Sequence, residues 1–270
     1  MINRKLCRAL VPLVIVYCFC LFVTILSPYS YSEMCGKAFD NFSALHILGT
    51  DAIGRDVLVR NCAAALTSIH IAVISVACGL FLGLPYGCLA GYKGGMICGV
   101  MTAILDVIEG IPDFLIAMML MTFINGSRIS SDFGIFVTLT LLSWTSMARI
   151  IKNETQILKN KNFIKYSIFK DASFRHIFRT HLFPNLRGTI LSVLLQKIPS
   201  AIFLEAFLSF IGIGIQPPKP SLGKLISEGM KSFRKAPALL VVPSIFLLAI
   251  VLGFNLLAMH LEKENGESFS

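Results

Sequence analysis

Three carboxylates, Asp106, Glu109 and Asp113, sit close together in the otherwise apolar stretch DVIEGIPD. Their i, i+3, i+7 spacing predicts that they share one helical face. Ionisable groups inside a hydrophobic run are costly, and they turn toward a bundle interior or an aqueous path. The chemistry open to them is proton relay, cation binding or lining of a translocation path; the structural alternative is pairing with Lys197 or placement near the surface. Glu205, in another apolar run, poses the same choice. Gly110 and Pro112 lie beside the carboxylates, and a bend is expected there because proline removes a helical hydrogen bond and clashes with the preceding turn.

Covalent chemistry has no foothold. The chain contains no GxSxG elbow, no HExxH and no phosphate-cradling GxxxxGK[ST]. His46, His70, His176, His181 and His260 are scattered, with no i, i+4 pair to hold a metal. No catalytic residue, metal ligand or cofactor of its own is therefore assigned, and ATP hydrolysis by this chain alone is excluded. Eight cysteines fall mostly in or beside apolar runs and read as small apolar filler. Cys35 and Cys62 flank one loop and could pair in an oxidising compartment.

The elements that must position these groups are membrane helices. Of 270 residues, 55% are hydrophobic and 14% charged, and mean hydropathy is +0.75. A hydrocarbon core of roughly 30 Å needs about 20 apolar residues per helical span. Stretches free of Asp, Glu, Lys and Arg run over 9–32, 61–92, 114–127, 133–148, 206–218 and 236–261. The third and fifth extend backward past Asp106 and Lys197. The fold class is thus an all-α polytopic membrane protein of about six transmembrane helices. The first stretch follows Arg4, Lys5 and Arg8 but is longer than a cleaved signal core, so it is read as a retained anchor.

The net charge of +9 is concentrated in 149–187, which carries nine Lys or Arg against Glu154 and Asp171. A basic loop of this kind is a topological signal, and nucleic-acid binding is not expected. With a cytoplasmic amino terminus, fourteen basic residues lie inside and nine outside, an orientation that the positive-inside rule favours. Both termini are then cytoplasmic. The organisation expected is an anchor helix and outer loop over 1–65, a permease core over 66–261 containing the cytoplasmic loop 149–187, and a tail over 262–270. Asp51 and Arg55 are four apart and would pair if their turn is helical. Leu222, Leu225, Ile226, Met230 and Phe233 fall on one face of a short interfacial helix, with Lys224, Lys231, Arg234 and Lys235 opposite. Thr155 to Lys170 reads as helical, with Ile157, Leu158, Ile164, Ile168 and Phe169 available to dock on a soluble partner or on the bilayer surface.

Four ordered segments carry a family resemblance: HILGTDAIGRDVLVR at 46–60, AGYKGG at 90–95, FIKYSIFKDASFRHIFRTHLFPN at 163–185, and LEAFLSFIGIGIQPPKPSLGKLISEG at 204–229. Over nearly its whole length the chain resembles the second permease subunit of bacterial dipeptide, oligopeptide and nickel importers of the ATP-binding-cassette class. The resemblance implies a type I ABC importer fold in the bacterial inner membrane and a heterodimer of two related permeases. It also implies two cytoplasmic ATPase subunits that bind the ATP, and an extracytoplasmic solute-binding protein. The central loop would form the coupling helix that docks on an ATPase, using Phe163, Lys165, Tyr166, Ser167, Asp171, Ala172, Ser173 and His181. Pro184 and Asn185 would fix where the loop re-enters the membrane. Lys165, Tyr166 and Ser167 stand where the family usually has Glu-Ala-Ala, and Asp171 stands at its usual Gly; Ala172 and Ser173 match. Asp tolerates the left-handed backbone that such a turn needs. Two other readings stay open: an ion-coupled secondary transporter or channel using Asp106, Glu109 and Asp113, and a degenerate permease with an assembly role.

Overall fold

The computed structural model describes residues 4–43 and 45–267, with side chains described for 10–43 and 45–261. It is almost entirely helical. In chain order the helices are α1 (Arg4–Leu26), α2 (Val57–Lys93), α3 (Gly95–Glu109), α4 (Asp113–Asn125), α5 (Ser131–Lys159), α6 (Asn162–Phe169), α7 (Phe174–Ile177), α8 (Phe183–Ile211), α9 (Leu222–Lys231) and α10 (Ala238–Glu267). A π-helical turn, Phe178–Leu182, joins α7 to α8 without a break. Four continuous helices, Val57–Lys93, Ser131–Lys159, Phe174–Ile211 and Ala238–Leu261, are long and apolar enough to cross a membrane. A fifth span is broken: α3 and α4 meet at 77°. The sixth apolar segment is the shorter helix Leu10–Leu26. The six runs expected from composition thus appear as four whole spans, one bent one and one short one. Residue 65 lies inside α2, and the tail is helical as far as Glu267.

The scaffold is the parallel pair α2 and α5, whose contacts advance together from Ser75–Thr140 to Tyr92–Lys159. Gly79, Gly83, Gly87 and Gly91 recur every four residues along α2 and turn one stripe of bare backbone toward α5. A Cβ at Gly83 would lie 2.8 Å from the Trp144 carbonyl oxygen, and one at Gly87 would collide with Ala148. Between apolar helices in lipid there is little hydrophobic driving force, so such small-residue stripes gain close van der Waals contact instead. Thr140 Oγ1 donates across the seam to the Ser75 carbonyl at 3.3 Å, and Lys159 Nζ caps it through the Tyr92 carbonyl at 2.6 Å.

Around this pair α1, α8, α9 and α10 enclose one core that includes Met121, Ile135, Met147, Ile202 and Leu208. A second core, with Cys88, Ile151, Leu158, Ile164, Ile177, Leu182 and Leu186, lies at the end bearing residues 160–182, here called the lower end. The opposite, upper end carries the loop 27–56 and α9.

Several expectations are corrected. Residues 155–170 are not one helix: α5 stops at Lys159 and α6 starts at Asn162, because Leu158 and Ile164 both turn into the second core. Only Ile157 and Phe169 of the proposed docking set are well exposed. The α9 segment is not a surface anchor, since Leu222 and Leu225 are buried. Gly223 and Gly229 press on the backbone of Ala206 and Leu239. Cys35 and Cys62 do not pair: Cys35 Sγ donates to the Gly54 carbonyl, while Cys62 is buried on α2 beside Cys20 of α1, and both are free thiols.

Candidate functional site

The lower end presents α6, a tight turn and α7. Asp171 occupies the left-handed region at φ 54°. Its N–H donates to the Ile168 carbonyl at 3.0 Å and the Ala172 N–H reaches the Ser167 carbonyl at 3.1 Å. These paired bonds are those of a Schellman cap, which usually has glycine at the left-handed position. Ser173 then caps α7, accepting from the His176 N–H at 3.4 Å. The turn expected from the glycine-to-aspartate change is therefore formed.

Three side chains brace the hairpin from behind. Ser167 Oγ and His181 Nε2 are 2.9 Å apart, the His181 ring packs 5.7 Å from that of Phe163, and Asn185 Nδ2 donates to the His181 carbonyl at 2.6 Å. Pro184 sits in the first turn of α8, directly after the π-helical turn. Because the helix is continuous from α7, its missing N–H removes one helical hydrogen bond there, next to the π-helical turn. Ahead of this brace, Lys165, Tyr166, Phe169, Lys170 and Asp171 are exposed, Phe169 at 86%. Lys170 Nζ lies 4.6 Å from the centre of the Tyr166 ring. The structure brings every coupling-loop residue named from the sequence into one small projection, with an aromatic and basic outer face.

The carboxylates divide. α3 ends at Glu109 and Pro112 caps α4, so Asp113 belongs to a different helix and does not share a face with Asp106 and Glu109. The bend at Gly110 and Pro112 is the one expected. Lys197 is not the partner of the first two; Arg149 of α5 is. Its Nη2 donates to Asp106 Oδ1 at 2.7 Å and its Nε to Glu109 Oε2 at 2.6 Å. This triad is open on one side, the Asp106 side chain being 60% exposed. Asp113 and Lys197 instead line one small cavity of about 50 Å³. Asp113 also borders an open cavity of about 570 Å³ between α4, α8 and α10, walled by Phe114, Phe203 and Phe207.

Glu205 is wholly buried and lines neither of the two cavities beside Asp113. Its carboxylate accepts from Ser68 Oγ of α2 at 2.6 Å and from Ser209 Oγ at 2.8 Å, with the Ser221 hydroxyl as a third partner. It pins α2, α8 and the start of α9 together instead of lining a path.

At the upper end the sequence reading missed most of a polar network. Asp51 and Arg55 do pair, at 2.7 Å, but in a non-helical turn and around a buried carboxylate. Arg60 joins Asp51 and reaches Glu228 of α9 at 3.1 Å. Burial alone would push the Asp51 carboxyl up, but the Arg55 and Ile53 N–H groups and the Arg60 charge outweigh it and hold Asp51 below the usual carboxylate range. His46 Nδ1 meets Asp56 at 2.9 Å, and Asp56 caps α2 by accepting from the Val59 N–H. The long separation of Arg60 from Glu228 hid this link; only GTD and GRD at the loop's end pointed to order.

Residues 83–265, which include the projection, the triad and Glu205, match the family described as the binding-protein-dependent transport system inner membrane component. The chain belongs to this family. Relatives confirm it over most of the length. The chain is 31% identical over 254 residues to the oligopeptide transport system permease protein OppC of Bacillus subtilis, covering 94% of this chain and 82% of that one. It is 34% identical over 257 residues to OppC of Escherichia coli, covering 94% and 83%. It is 35% identical over 221 residues to the dipeptide transport system permease protein DppC of Bacillus subtilis, covering 82% and 68%. Inward-facing structures of the MetNI methionine ABC transporter share the fold: one has a TM-score of 0.58 at 17% identity over 74% of this chain and 94% of that one. This inner-membrane component is therefore the multi-pass permease subunit of a binding-protein-dependent ABC importer, with the type I transmembrane fold.

Proposed function

We propose that this permease carries short peptides inward, as half of a pathway completed by a second, homologous permease. Two ATPase subunits bind and hydrolyse the ATP, an extracytoplasmic binding protein delivers the solute, and both termini of the chain are cytoplasmic. The single observation that carries the coupling role is the braced α6–α7 projection. It is rigid behind, through Ser167, His181 and Asn185, and exposed in front, through Tyr166, Phe169 and Lys165. A rigid, exposed, amphipathic knob on a membrane protein fits a groove on a soluble motor. Closure of the ATPases pulls the projection, and because α7 runs through the π-helical turn into α8, the pull passes directly to a span. The result is a two-state exchange of outward and inward access.

The Asp106–Arg149–Glu109 triad supports the path. Open charges at membrane depth do not face lipid tails; they face protein or an aqueous cavity. The open side of the triad is then directed at the second permease and the route between them. Arg149 engages both carboxylates, which disfavours a free proton relay and with it the ion-coupled alternative. The intact Schellman turn disfavours a degenerate permease.

The test is uptake by the whole complex, purified through a tag on this chain and reconstituted in liposomes. Isotope-labelled trialanine should accumulate only with hydrolysable ATP. Accumulation that follows an ion gradient without ATP would overturn the proposal.

A further inference from the structure

The open cavity of about 570 Å³ between α4, α8 and α10 has the size of a small-ligand pocket, which runs from roughly 300 to 1,000 Å³. Three aromatic rings wall it, Phe114, Phe203 and Phe207, the first and last in edge-to-face contact at 6.4 Å. Its polar groups are Asp113, Ser200 and Asn255, and all three are exposed. Asp113 carries the one charge among the lining residues. Asp106, Glu109 and Glu205 are each already paired. The Asp113 carboxylate, by contrast, has no hydrogen-bond or ion-pair partner among the described residues, although Lys197 borders the adjoining small recess with it. That recess is walled by Leu142 and Ala201, near the middle of α5 and α8, so Asp113 lies deep within the apolar layer. An unpaired carboxylate at that depth is costly until a cation meets it.

We infer that this cavity binds the N-terminal ammonium of the transported peptide, an inference that rests on the peptide-import reading. The ammonium donates to the Asp113 carboxylate, and the aromatic wall adds attraction for a cation. Ser200 and Asn255, each able to donate and to accept, meet the first peptide group. The leading side chain packs on Phe203 and Phe207. A bare metal ion would find a single carboxylate and a wall of rings, far short of the about six oxygen ligands that hard cations take. An organic ammonium needs no such cage. Ser200, Phe203 and Phe207 belong to α8, the span continuous with the projection, so movement of that span alters the hold on the ligand.

The test is equilibrium binding of isotope-labelled trialanine to the whole complex in lipid nanodiscs, purified through a tag on this chain, with neither ATP nor binding protein present. Omitting the binding protein keeps its own selectivity out of the result. Trialanine should bind saturably. Trialanine amide, which keeps the ammonium, should compete with it about ten-fold better than N-acetyltrialanine, which lacks it. Asp113→Asn should abolish that preference and Asp113→Glu should retain it. Absence of saturable binding, N-acetyltrialanine competing as well as the amide, or an Asp113→Asn complex of unchanged composition that keeps the preference would each overturn the proposal. A cation of the second permease seated on Asp113 in place of the ligand would remove the preference and so count against it. The comparison of the two peptides needs no variant, so an Asp113→Asn complex that fails to assemble leaves it decisive. ATP-driven uptake with binding protein present is a separate readout. Its persistence alongside failed binding would sink this site and leave the transport reading standing, and its loss with selective binding intact would do the reverse.

Discussion

Asp171 holds a left-handed backbone that costs most L residues about 1–2 kcal/mol, and the Schellman bonds to Ile168 and Ser167 keep it there. Asp171→Gly should keep the turn and raise the melting temperature slightly, whereas Asp171→Val should lower stability by about 1–2 kcal/mol and reduce ATPase copurification. Thermal unfolding in detergent reads the first effect and pull-down the second. Lys165 reverses the charge usual at its position and stands exposed on the projection, so a complementary acidic group is expected on the cognate ATPase. Lys165→Glu should then cut ATPase retention about ten-fold, a change worth roughly 1.4 kcal/mol; unchanged retention and transport would contradict it. At the upper end, Asp51 is held below its ordinary range, so the native state binds fewer protons than the unfolded one. Its contribution is complete above the ordinary carboxylate value near about pH 4 and is lost as pH falls through the lowered native value. Hydrogen exchange across residues 49–60 should stay slow down to that region and quicken below it. Asp51→Asn should destabilise the loop at every pH, by roughly 3 kcal/mol, because it leaves the Arg60 guanidinium buried with a weakened partner.

Helix-scale features were legible where the cause is local. Proline and glycine announced the bend between α3 and α4, and apolar run length announced the long spans. What escaped depends on which element lies opposite. Asp106 and Glu109 share a face as spaced, but the break at Pro112 carries Asp113 away, and Arg149, forty residues from Glu109, supplies the counter-charge. For Glu205 the sequence leaves a path role and structural pairing both open, because the partners are hydroxyls far apart in the chain, those of Ser68, Ser209 and Ser221. The glycine stripe on α2 was present at spacing four, yet its meaning appears only against the backbone of α5. Gly87→Leu should separate these helices, since the added side chain meets Ala148 and Ile151. Overpacking of a close seam costs about 1–3 kcal/mol or more, and the expected readout is loss of the monodisperse peak on size exclusion. Gly99, with open space around it, should accept Ala without change.

The molecule as a whole carries a basic projection at one end, a charged triad open on one side between the ends, and an ordered polar cap at the other end. Composition points to the bilayer as solvent, and the loop's charge favours one orientation; the proposal that the lower end meets the motor rests on that orientation together with the braced projection. Phe169, at the tip of the projection, offers the most direct check. With the native cysteines replaced, Phe169→Cys should resist a membrane-impermeant thiol reagent added to intact cells. It should react in inverted vesicles stripped of ATPase and be shielded when ATPase is restored. Labelling of that cysteine from the outside of intact cells would contradict the account.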